Sequence, residues 1–162
     1  MIFVTVGSQK FQFNRLLAEM DRLAEIHPEL GEIFAQTGYS DYKPKNYAYK
    51  DFLDREEFAE MEGRADIVIT HGGTGAIIGA VKKGKKVIAV PRLSEYGEHV
   101  DDHQTQLIGE FREQNLICAV DDTSQLEWAL EFIGTHKFNS YESNTQKIID
   151  SIEQFIDEDV SK

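Results

Sequence analysis

At 162 residues the chain suits one domain, and a single core at that length buries about 70% of the surface an unfolded chain exposes. Apolar residues make up 41% and charged residues 28%, which excludes a disordered chain. With 17 Lys and Arg against 29 Asp and Glu the formal charge is -12, so the broad basic footprint that nucleic acid or an anionic lipid surface requires is missing.

Short apolar runs alternate with segments of helical period, the rhythm of parallel strands joined by crossover helices. Residues 2–6 read as the first strand, ended by Gly7-Ser8, with no signal-peptide pattern in that start. Leu16, Leu17, Met20, Leu23 and Ala24 recur at helical spacing and stop near His27-Pro28. A short strand follows at 33–35. The tyrosines Tyr39, Tyr42, Tyr47 and Tyr49, interleaved with Lys43, Lys45 and Lys50, have the ingredients of an RNA-stacking platform, but in an acidic protein they read better as packing or a partner contact.

Asp54 with Glu57 forms a capping-box pattern opening a helix through Phe58 and Met61, ended at Gly63. The run 66–70 is a strand buried on both faces, 74–83 a helix closed by Gly84, and 87–90 a strand stopped by Pro91. Helix is expected over 102–114, strand over 117–120, and helix over 124–132 behind a second box, Ser124 and Glu127. Cys118, the single cysteine, reads as a small buried strand residue rather than a reactive thiol, and a lone cysteine fits a reducing compartment. Ile148, Ile149, Ile152, Phe155 and Ile156 share one face of a closing helix, so 140–162 reads as that helix and an acidic tail ending a single domain 1–162. No apolar run approaches the roughly 18 residues that span a bilayer. The expected architecture is a three-layer Rossmann-like α/β sandwich with a mostly parallel sheet of about six strands.

In such sheets ligands gather at the carboxyl ends of the strands. That rule selects three loops: 7–11, 71–75 and 92–103. His71-Gly72-Gly73-Thr74-Gly75 follows a buried strand and opens a helix, where free N–H groups and the positive dipole end favour a phosphate. It matches neither the P-loop nor the dinucleotide fingerprint, so an ATPase or ordinary dehydrogenase is not supported, and a bare strand-to-helix turn is the plainer alternative. Gly7, Ser8, Gln9 and Lys10 form a similar turn and would supply the opposite wall of one anion pocket. In the third loop Arg92 suits bidentate pairing with phosphate, while Asp102, His103 and Gln104 suit sugar hydroxyls. His99 and His103, with Asp101 and Asp102, raise a competing metal site, weakened because the residues before 102 read as loop.

Taken together, Phe3-Val4-Thr5-Val6-Gly7, the strand 66–70 with its glycine loop, and Pro91-Arg92 followed by 96–104 resemble the C-terminal, donor-binding domain of family 28 glycosyltransferases. The likeness is to the small cytosolic subunits of two-component bacterial polysaccharide glycosyltransferases, similar to the dolichol-linked N-acetylglucosaminyltransferase catalytic subunit. It implies half of a GT-B fold and a hexosyltransferase that inverts the anomeric carbon, using a UDP-sugar of the galactose or N-acetylglucosamine class. It also implies a cytoplasmic chain recruited to the inner membrane face by a membrane-anchored subunit, which presents a lipid-linked saccharide. No resident cofactor, metal or nucleic acid is implied, and a homodimer is open for the isolated chain.

Carried over, Gly7, Ser8 and Gln9 border the nucleotide, Gly73, Thr74 and Gly75 approach the diphosphate, and Asp102, His103 and Gln104 face the hexose, with Gly72 and His99 also counted as substrate-binding. His71 and His103 are the candidates for catalysis. Many relatives carry a ribose-gripping Glu where this chain has Gly79, and Glu98 is the candidate replacement. A non-catalytic nucleotide-sugar sensor or accessory module is the alternative function.

Overall fold

The computed structural model describes residues 1–7, 10–98 and 103–139; of Thr74 and residues 103–107 only the backbone is described. Six strands form one sheet: β1 (Ile2–Thr5), β2 (Ile33–Gln36), β3 (Ala48–Lys50), β4 (Ile67–Thr70), β5 (Lys86–Ala89) and β6 (Cys118–Ala119). Every pairing is parallel and the order is β3-β2-β1-β4-β5-β6. Among the described residues four α-helices lie between strands, α1 (Asn14–Ile26), α2 (Arg55–Arg64), α3 (Thr74–Lys82) and α4 (His103–Glu113), and α5 (Leu126–Thr135) follows β6.

The pleat divides the apolar residues of each strand between two cores. Ile2, Val4, Ile69 and Ile88 pack with Leu16, Leu17 and Met20 of α1 and Leu126, Ala129 and Ile133 of α5. Phe3, Val68, Val87 and Ala89 pack on the other face with Ile77, Ile78 and Val81 of α3 and Ile108 and Phe111 of α4. These are the three expected layers. Cys118 is buried, and burial pushes its thiol up to about 11, which makes it the inert residue its neighbours suggested.

Two local readings differ from the structure. The tyrosine segment ends in a strand, β3, whose three residues are all exposed. No alternation marks it, because it exists through its pairing with Phe34–Gln36 rather than through burial. Asp21 pins the loop ahead of it, accepting from Tyr42 Oη (2.6 Å), Asn46 N (2.8 Å) and Lys45 N (3.0 Å). Burial pushes the Asp21 carboxyl up, and those hydrogen bonds more than offset it, leaving its pKa below the ordinary value. Tyr47 donates to Leu17 O (2.8 Å), so these two tyrosines are packing residues.

The Asp54–Glu57 capping box is present, but the Ser124–Glu127 box is not. Residues Thr123–Gln125 form a separate turn, and Glu127 turns away to His27. Along α5 Trp128 is exposed and stacks on Phe132 (ring centroids 5.0 Å apart), which stacks on His136 (4.5 Å). No helix among the described residues is long and apolar enough to cross a membrane. The closing helix and acidic tail lie outside the described residues.

Candidate functional site

From β1 the chain crosses toward β2 and β3, and from β4 toward β5 and β6. The carboxyl ends of β1 and β4 therefore flank the point where the crossovers diverge, the place where such sheets open a crevice. A cavity of about 420 Å³ lies there, lined by Thr5, Gly7, Gln36, Leu53, Arg55, Phe58, His71, Gly73 and Gly75 among others. The first two loops meet at this cavity, and the joint between them is a side chain.

His71 is buried at 6% exposure, with its Nδ1 3.4 Å from Thr5 O and from Thr70 Oγ1. A Cβ at Gly7 would stand 2.6 Å from its Cε1, and one at Gly73 would stand 2.5 Å from its Nε2. Gly7 also has φ +76°, a region other residues enter at a cost. These two glycines, expected to make room for a ligand, make room for His71. Gly75 is different: nothing lies within 4 Å of its added Cβ, so its side of the loop faces open space.

Two helices start at the cavity, and their first turns differ. The start of α2 is closed by Asp54, which accepts from Glu57 N (2.8 Å), while the Glu57 carboxylate accepts from Asp54 N (3.3 Å). Among the described residues no side chain caps the first turn of α3. Its positive dipole end, at Gly73 and Gly75, therefore favours an anion at this end of the cavity.

The third loop behaves otherwise. Arg92, expected to pair with phosphate, is completely buried; its Nη2 donates to Val6 O and the Phe13 ring lies 5.7 Å from its guanidinium. Its Nε and Nη1 have no partner among the described residues, and burial pushes its pKa down to about 10. Here the guanidinium props the end of β1 from inside rather than lining the cavity.

Glu98, expected as a ribose ligand, is 1% exposed and accepts from Arg15 Nη2 (3.0 Å), Arg15 Nε (3.1 Å) and Leu93 N (3.0 Å). Arg15 continues to Asp122 Oδ1 (2.5 Å) and Pro91 O (3.3 Å). Burial pulls the Arg15 pKa down, and Glu98 with Asp122 more than offsets it. The Glu98 carboxylate is thus spent inside the fold.

Ser8, Gln9, His99 and Asp102 lie outside the described residues. His103 and Gln104 open α4, and Thr74 opens α3, with their side chains undescribed. Gly72 is buried with φ +89°.

At Gly79 a Cβ would stand 3.1 Å from Glu62 Oε1. Glu62 is buried and pairs with Lys83 Nζ (3.0 Å), so a carboxylate does sit beside position 79, but it is not among the residues lining the cavity. Sequence reasoning missed Thr5, Gln36, Leu53, Arg55 and Phe58. Gln36 was within reach, since it ends a strand just before Thr37-Gly38 and the carboxyl-end rule applies to β2 as well. Leu53, Arg55 and Phe58 carry no local mark, because only the packing of α2 brings them to the rim.

The glycosyltransferase family 28 C-terminal domain matches residues 1–158, and the chain belongs to that family. Over 89 residues it is 30% identical to the UDP-N-acetylglucosamine transferase subunit ALG13 of Kluyveromyces lactis, covering 52% of this chain and 43% of that protein. The solution structure of ALG13 superposes with a TM-score of 0.64 at 18% identity, over 90% of this chain and 91% of that one. CalG4, the calicheamicin glycosyltransferase, superposes with a TM-score of 0.60 at 14% identity, over 94% of this chain and 38% of that one. The chain thus has the fold of one half of a GT-B glycosyltransferase, and it spans less than half the length of the named relative and of CalG4.

Proposed function

We propose that the chain is the donor-binding subunit of an inverting glycosyltransferase. It holds a UDP-sugar of the galactose or N-acetylglucosamine class for transfer to a lipid-linked saccharide in polysaccharide biosynthesis. The observation that carries this reading is the cavity at the divergence of the crossovers, where α3 starts without a side-chain cap beside the open flank of Gly75. N–H groups fixed in that position stabilise the charge that builds on the departing diphosphate. Leu53 and Phe58 give the cavity an apolar wall against which a nucleoside packs, and Gln36 and Thr5 add hydrogen-bonding groups on its floor.

The family relationship and the subunit named ALG13 support a second chain as the acceptor half. In this reading that partner is membrane-anchored, recruits the chain from the cytoplasm to the inner face, and supplies the general base. Ser8 and Gln9 border the nucleotide, while Asp102, His103 and Gln104 face the hexose. Calorimetry with UDP, UDP-galactose and UDP-N-acetylglucosamine tests the site. Saturable UDP binding with preference for one sugar is expected, and no UDP affinity at high protein concentration would overturn the proposal.

One observation favours a second reading, a non-catalytic nucleotide-sugar sensor or accessory subunit: neither Gly79 nor the buried Glu98 offers a carboxylate to the cavity, and Asp54, which lines it, is held as a helix cap. UDP-sugar binding without transfer after co-expression with the partner would select it.

A further inference from the structure

The start of α2 carries a residue that folding does not explain. Arg55 is the first residue of the helix, where a cation faces the positive end of the dipole, and the neighbouring positions follow the ordinary rule with Asp54, Glu56 and Glu57. Arg55 is exposed and makes no hydrogen bond or ion pair with any described residue. Of the carboxylates beside it, Asp54 lines the same cavity but is held as the helix cap by Glu57 N, and Glu57 accepts from Lys50 Nζ at 2.8 and 3.1 Å. Arg55 instead lines the cavity, as the one Arg or Lys to do so among the described residues, across from the uncapped start of α3.

A second group in the same cavity is also unspent. Gln36 is 95% buried (5% exposed), yet its amide has a single contact, Oε1 with Thr5 Oγ1 at 3.5 Å. Its Nε2 has no hydrogen-bond partner among the described residues, which leaves a donor for whatever occupies the cavity. Local rules broken at a cavity point to a ligand rather than to folding. Arg92, the cation the sequence offered for this task, is inside the protein.

We propose that Arg55 supplies the cation of the donor site, its guanidinium pairing with the diphosphate of the bound nucleotide while the α3 N–H groups hold the other side. This deepens the donor-site reading above and rests on it. A guanidinium suits two phosphate oxygens at once, whereas a point charge such as Lys meets them less well.

NMR titration of the full chain with UDP and with uridine separates the cases, because only UDP carries the diphosphate. In Arg55→Gln the UDP affinity falls about tenfold, the size of one charge-assisted hydrogen bond, while uridine affinity holds. Arg55→Lys recovers part of the loss. Unchanged UDP affinity in Arg55→Gln overturns the proposal, and so does an equal loss for uridine, which would put Arg55 on the nucleoside. If the unaltered chain binds no UDP, the donor-site reading itself falls. The substitution removes a cation from a helix start and breaks no contact, so the variant keeps its fold, checked by its melting temperature.

Discussion

On the β1–β4 side of the strand-end rim, among the described residues, Arg55 has no hydrogen-bond or ion-pair partner, Gln36 is met only by Thr5, and no side chain caps the start of α3. On the β5 side, Glu98, Arg15 and Asp122 are bound into one network that ties the loop to the start of α1 and to the turn before α5. Both regions look alike in sequence: a strand end, small residues, then charge. They differ in whether folding has consumed the polar groups. Where it has, the rim is scaffold; where it has not, the groups are left for something that arrives later.

That division can be broken by experiment. The largest effect is expected from Arg15→Ala, which leaves Glu98 buried and unpaired and costs about 3 kcal/mol in denaturant unfolding. At a temperature where the variant stays folded, UDP affinity should persist; its loss there would make the β5 side part of the binding site. Next, Gly73→Ala drives a methyl into the His71 ring and costs about 1–3 kcal/mol. His71→Ala in the same chain gives the methyl its room back, so a double-mutant cycle should show the pair less destabilised than the sum of the two single changes. Additive losses would mean that His71 is not what constrains Gly73.

Asp54→Ala opens the capped helix start and lowers the melting temperature. Because Asp54 also lines the cavity, taking its carboxylate away from the phosphate site should leave UDP affinity equal or higher, and a weaker UDP affinity would put Asp54 in contact with the ligand. The smallest effect concerns His27, which lies between Glu127 (2.6 Å) and Glu29 (2.9 Å) at the far end of α1 from the rim. The hydrogen bond to Glu127, then that to Glu29, raises its pKa above the ordinary 6.5. A raised folded value means the stabilisation is complete below about pH 6.5 and fades as pH climbs through the folded pKa. His27→Gln should flatten that slope in pH-dependent melting, with UDP affinity unaffected.

The order of strands and helices was legible because continuous apolar runs and helical spacing are local signals. The carboxyl-end rule then placed Gly7, His71 and Gly75 at the cavity without any knowledge of contacts. Legibility failed where a partner is distant. Glu98 reads as an exposed loop acid, and only Arg15, 83 residues away, makes it a core residue. Arg92 reads as a phosphate ligand until the Val6 carbonyl claims it from inside. Arg55 was passed over for the opposite reason: it lies inside a charged run that looks like ordinary solvated helix.

The chain has one tryptophan, and Trp128 stands on the outer side of α5, on the face of the sheet opposite α2 and α3. Its fluorescence is therefore a reporter with a single address. A nucleotide entering the cavity does not touch that indole, so its emission should stay constant while the site fills. A partner protein that covers α5 would change both its wavelength and its quenching by iodide, which lets one optical channel watch assembly while another method watches the donor.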